Sequence, residues 1–185
     1  RMLITLSPAK TLDFETESNL DSFTQPRMLE QSKVLNKRLR KLSKDDLQDL
    51  MSLSDDLTAV NHQRNRDWSP PFDLTNAKQA ILAFRGAAFT GLDADSYSPE
   101  DFETAQRSLR ILSGLYGVLR PLDLIHAYRL EMGTKLDNPG GKNLYEFWDT
   151  SITSLINADL DDHNQRVIVN VASNEYFKSI KRKIL

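Results

Sequence analysis

Two short apolar runs in this 185-residue chain end in similar polar clusters, and those clusters hold the side chains best suited to chemistry. Leu3-Ile4-Thr5-Leu6 runs into Ser7-Pro8-Ala9-Lys10-Thr11, and Val167-Ile168-Val169-Asn170-Val171 runs into Ala172-Ser173-Asn174-Glu175-Tyr176. Ligands of α/β sheets gather beyond the carboxyl ends of strands. If the two runs are parallel neighbours, Lys10, Asn170, Ser173 and Glu175 surround one pocket, with Ser7 and Tyr176 beside them. Lys10 would then hold an anionic group, Glu175 would serve as acid or base, and Asn170 and Ser173 would orient the ligand. Lys10, Glu175 and Ser173 are therefore the catalytic candidates, and Ser173 or Asn174 would cap the next helix. The plainer alternative is a cap, a turn and a solvated lysine. Ser7-Pro8-Ala9-Lys10 lacks the glycine-rich cradle of a phosphate loop, which argues against a nucleotide hydrolase.

A second constellation is Leu112-Ser113-Gly114-Leu115-Tyr116-Gly117-Val118-Leu119-Arg120-Pro121. Two glycines three apart, followed by an apolar run, suit a helix–hairpin–helix element whose backbone N–H groups approach a DNA phosphate. The usual hairpin signature spaces its glycines two apart, so a glycine-terminated helix packed on the core is the competing interpretation. Arg107, Arg110, Arg120 and Arg129 would supply the electrostatics, with Ser113, Gly114, Tyr116 and Gly117 at the contact. From Thr104 to Lys135 five basic residues face two acidic ones, opposite in sign to the net charge of −2. Arg129 and Glu131 share a face if Tyr128–Gly133 is extended, as a site pair or as a structural ion pair.

Composition excludes several chemistries. The chain has no cysteine, so thiol nucleophiles, disulfides and cysteine-ligated metals are out. Its three histidines, His62, His126 and His163, are scattered without ligand-spaced partners, and Ser7, Ser113 and Ser173 have no triad context. No cofactor or metal is expected. No apolar run approaches the ~20 residues of a membrane span, and nothing resembles a signal peptide, so a cytoplasmic protein is expected. Whether the chain is an enzyme is left open by these residues. Arg1 precedes Met2, the expected natural start, and is set aside as a remnant.

The remaining elements must position these groups. Met28, Leu35, Leu39 and Leu42 predict a helix after Pro26, with Lys33, Lys37, Arg40 and Lys41 on a solvated face. Ser43 with Asp46, and Ser54, mark further helix starts. Pro70-Pro71 closes this region. Ala80-Ile81-Leu82-Ala83-Phe84 is expected to be a buried strand. Ser98-Pro99-Glu100-Asp101 opens a helix whose buried stripe is Phe102, Ala105, Leu109 and Leu112. Leu144, Phe147, Trp148, Ile152, Leu155 and Ile156 mark another, and the run at Val167 is the clearest strand.

With those blocks in order, the chain resembles the YaaA family of bacterial peroxide-stress proteins. The resemblance rests on Met2–Leu12, Leu112–Asp123, Tyr128–Gly133 and Asn170–Lys178. It implies a cytoplasmic bacterial protein that limits hydrogen peroxide damage and is linked to lower free iron. It also implies DNA binding through a helix–hairpin–helix element and a positively charged cleft. By position that element falls between Arg107 and Arg129, centred on Gly114 and Gly117. The implied partner is the phosphate backbone of double-stranded or distorted DNA, with an unidentified small molecule at the strand ends as the alternative. Family members continue past Leu185, so the expectation is one domain over residues 1–185, short of its C-terminal part. The expected fold is α/β (α+β), a mixed sheet or partial barrel wrapped by helices.

Overall fold

A computed structural model describes residues 2–185. Strands β1 (Leu3–Leu6) and β2 (Thr11–Leu12) precede three helices, α1 (Leu29–Leu39), α2 (Lys44–Met51) and α3 (Asp55–Asp67). A compact middle comes next: β3 (Lys78–Gln79), α4 (Ala80–Ala83), β4 (Phe84–Arg85), α5 (Ala87–Leu92) and α6 (Pro99–Ser108). Then come β5 (Leu109–Ser113), β6 (Gly117–Leu119), β7 (Leu124–Ile125), α7 (Leu144–Trp148), α8 (Ser151–Asp161), β8 (Ile168–Asn170) and α9 (Asn174–Phe177).

The main sheet runs in the order β6-β5-β1-β8, with β1 parallel to both β5 and β8 and β6 antiparallel to β5. It is open and mixed, so of the two expected layouts the mixed sheet is realised. Two small ribbons, β2-β4 and β3-β7, flank it. All five residues of β5 are buried, and one continuous core spans the described residues from Leu3 to Ile180, which makes this a single mixed α/β domain. No helix among the described residues is long and apolar enough to cross a membrane.

Local chemistry explains the helix starts. Ser43 with Asp46 and Ser98 with Asp101 close reciprocal capping boxes, and Ser54 Oγ accepts from Leu57 N–H at 3.3 Å. Lys33, Lys37, Arg40 and Lys41 are all exposed on α1 and its end. The Val167 run forms β8, but as an edge strand with Val167, Val169 and Val171 exposed.

Three expectations are corrected. Ala80–Ala83 is one helical turn, not a strand. Its residues are all buried, and Ala80 and Ile81 donate N–H bonds to Asp123 and Pro121 carbonyls at 2.9 and 3.0 Å, so neighbours rather than periodicity decide its backbone. The Leu144–Ile156 stripe is two helices, broken where Asp149 adopts φ +44°.

The third correction concerns the hairpin. No second helix follows α6 before Arg129: the chain turns extended at Leu109 and becomes β5, then folds back as β6 with Ile111 opposite Leu119 and Ser113 opposite Gly117. Between Arg107 and Arg129 the chain thus forms a buried β-hairpin, residues 109–119, in place of a helix–hairpin–helix. Pairing of Ile4, Thr5 and Leu6 with Leu109, Arg110 and Ile111 imposes the strand. The glycines serve packing and turning. A Cβ on Gly114 would lie 2.2 Å from the Leu130 carbonyl oxygen, and Gly117 has φ +74°.

Candidate functional site

At the carboxyl end of the sheet, β1 and β8 are parallel neighbours with Thr5 opposite Asn170. From β1 the chain crosses first to β5 on one side and later to β8 on the other. That reversal is a topological switch point, where α/β sheets leave a crevice. Ser7 and Ser173 stitch the loops together: Ser173 N–H donates to Ser7 Oγ at 2.9 Å, and the two hydroxyls lie 3.3 Å apart. Ser173 takes the N-cap position of α9, but its hydroxyl makes no cap bond there. Asn170 is engaged locally, since its Oδ1 accepts from Thr5 Oγ1 at 2.9 Å and Ala172 N–H at 3.0 Å. These three are fastenings of the strand ends.

The pocket itself gathers Lys10, Arg129, Glu131, Glu175, Tyr128 and Tyr176 around a cavity of about 100 Å³. Lys10 Nζ lies 2.8 Å from Glu131 Oε1, and Arg129 Nη2 lies 3.9 Å from the same oxygen. Arg129 and Glu131 therefore do meet, on an extended segment outside any strand. Glu175 Oε1 accepts from Gly133 N–H at 2.9 Å, and its carbonyl accepts from Tyr145 Oη at 2.6 Å. Burial pushes the Tyr176 and Tyr128 phenols well above the ordinary tyrosine range, so both are neutral.

The opposite, amino end carries a different arrangement. Arg107 at the end of α6, Arg110 in β5 and Arg120 just after β6 converge with Arg27 on a cleft of about 370 Å³. Asp159 of α8 organises it. Arg27 clamps Asp159 with two bonds of 2.6 and 2.8 Å, and Arg110 Nε donates to Asp159 Oδ2 at 2.6 Å. Burial opposes the Asp159 charge, but the hydrogen bonds from Arg27 and Arg110 outweigh it and hold the carboxyl below the usual range. Arg120 donates to the fully buried Asp123 at 2.9 and 3.1 Å. Arg107 is exposed, with only Glu103 at 3.7 Å. Four carboxylates answer these four guanidiniums, Asp159 and Asp162 in the lining, Asp123 on Arg120 and Glu103 on Arg107, so the formal charges balance and Arg107 is the exposed cation of the cleft.

The residues expected around Gly114 and Gly117 do not form a surface. Ser113, Gly114, Tyr116 and Gly117 are buried. Ser113 Oγ bonds Tyr128 Oη at 2.7 Å and accepts Tyr116 N–H at 3.1 Å, while Tyr116 Oη accepts from Trp68 Nε1 at 2.8 Å. Of the four expected arginines, Arg107, Arg110 and Arg120 share the amino-end cleft and Arg129 stands in the carboxyl-end pocket. The pairing of Arg27 with Asp159 is invisible in the sequence, because 132 residues separate them. One signal was present: Asp159 continues the buried spacing of Ile152 and Ile156, a charge on an apolar helix face.

A mixed α/β domain with a ligand-type crevice at one end of its sheet and an arginine cleft at the other is the class these features define. The chain belongs to the peroxide stress protein YaaA family, whose model matches residues 2–185. It is 54% identical over 184 residues to a UPF0246 protein of Colwellia psychrerythraea, covering all of this chain and 72% of that relative. UPF0246 proteins of Alcanivorax borkumensis and Shewanella loihica are each 53% identical over 182 residues, covering 98% of this chain and 70% of theirs.

Proposed function

We propose that this member of a peroxide-stress family docks the phosphate backbone of double-stranded or distorted DNA in the arginine cleft, and so limits iron-dependent oxidative damage there. The observation that carries the proposal is the convergence of Arg27, Arg107, Arg110 and Arg120 on one cleft, with Arg107 exposed there. Asp159 orients two of these guanidiniums in advance, which lowers the cost of ordering them on a phosphate. Arg27 Nε is buried with no hydrogen-bond partner among the described residues, a donor that an anionic oxygen would satisfy. Phosphate contacts position a duplex and read little sequence, so binding is governed by salt. A cytoplasmic location, where the chromosome is accessible, is part of the proposal.

Fluorescence anisotropy with duplex DNA across a salt series tests it. Arg107→Ala is expected to weaken binding for every sequence and to flatten the salt slope by about 0.9 for each phosphate it no longer neutralises. Lys135→Ala, an exposed residue outside the cleft, is expected to bind as the parent does. Unchanged affinity and slope in both Arg107→Ala and Arg27→Ala would rule out the cleft as the DNA site.

A further inference from the structure

The carboxyl-end pocket takes no part in the proposed DNA contact, and its charges have a pattern of their own. Lys10 and Arg129 both approach Glu131 Oε1, at 2.8 and 3.9 Å. One carboxylate cannot neutralise two cations, so this side keeps a positive charge in excess and favours an anion. Glu175 stands on the same cavity with the opposite character. Its carboxylate accepts the Gly133 N–H, and among the described residues no lysine, arginine or histidine nitrogen comes within 4.0 Å of it. That side favours a cation.

We infer that the pocket binds a small zwitterion of the α-amino acid class, its carboxylate against Lys10 and Arg129 and its ammonium against Glu175. A simple anion would leave Glu175 unpaired and add a like charge beside it. A simple cation would face Lys10 and Arg129. Only a molecule bearing both charges meets both sides with opposite sign. Size agrees: about 100 Å³ is the liquid volume of roughly three waters, room for a ligand of a few heavy atoms. Lys10 and Glu175 are exposed, so a longer side chain can leave by the mouth. The neutral phenols of Tyr128 and Tyr176 line the cavity without altering the charge pattern. Position is a separate argument, because the pocket lies at the switch point of the sheet, where small ligands of such folds bind.

Isothermal titration with L-alanine and the other common amino acids, with acetate and ethylamine as single-charge controls, tests the inference. At least one amino acid is expected to bind with a Kd of about 1 mM or tighter, and both controls about tenfold more weakly or worse. Glu175→Gln and Lys10→Ala are each expected to weaken amino acid binding about tenfold or more. Both side chains are exposed, so the variants are expected to fold, which thermal denaturation checks. The inference is overturned if no amino acid reaches that affinity, if acetate matches the amino acids, or if both variants bind like the parent. The assay contains no DNA, so its outcome is independent of the proposed arginine-cleft contact.

Discussion

The two ends of the central sheet use ionic side chains in opposite ways. At the amino end, Asp159 and Arg110 are buried and mutually bonded, so their charges are part of the core. At the carboxyl end, Lys10 and Glu175 are exposed and the Lys10–Glu131 pair has a lysine side chain 68% accessible. A buried pair is costly to break because the surviving charge has no water to return to, whereas an exposed pair contributes little. The amino end is thus ordered by its buried pair and keeps Arg107 exposed beside it, whereas the carboxyl end carries Lys10 and Glu175 at the surface.

That contrast can be broken by substitution. The largest effect is expected for Asp159→Ala, which leaves Arg110 buried without its carboxylate. Urea denaturation should show a loss of about 3–5 kcal/mol, and a loss under about 1 kcal/mol would make this an ordinary surface pair. The pH dependence sharpens the point. Asp159 is held below its ordinary value of 3.8, so its contribution is complete above that value and fades as pH falls toward the folded-state value. The stability gap between parent and Asp159→Ala should therefore narrow in acid.

An intermediate effect is expected at the backing of the carboxyl-end pocket. Gly114→Ala drives a methyl into the Leu130 carbonyl, beside the pocket wall, and should destabilise by about 1–3 kcal/mol under urea denaturation. A neutral result would show that the segment from Tyr128 to Met132 can shift freely. The smallest effect is expected for Lys10→Ala, below about 1 kcal/mol in stability. A larger loss would mean that the Lys10–Glu131 pair is structural and would erase the difference between the two ends.

Part of the carboxyl-end pocket was legible because Lys10, Glu175 and Tyr176 come from the segments just beyond the ends of two strands, while residues 128–131 supply the rest. A strand that ends in a polar loop announces itself locally, and parallel pairing of β1 with β8 then brings Lys10 and Glu175 onto one cavity. The amino-end cleft was not legible. Arg107, Arg110 and Arg120 stand out as a basic stretch, but their meeting with Arg27 depends on Asp159, which no local pattern connects to them. The hairpin is ambiguous for a related reason. Gly114-Leu115-Tyr116-Gly117 suits a tight turn between helices or between strands, and the flanking apolar residues are compatible with both.

Local chemistry in the sequence determined the helix starts at Ser43, Ser54 and Ser98, the strands β1 and β8, the absence of thiol chemistry and the kinship with a peroxide-stress family. Each is a matter of neighbouring residues or of long ordered similarity. Only the tertiary structure decided that Leu109–Ser113 is a central strand, that Ala80–Ala83 is a helical turn, and that two arginines share one buried aspartate. Those outcomes depend on backbone and charge partners far away in the chain, and the free energy of satisfying a buried hydrogen-bonding or charged group exceeds the preferences of the residues themselves.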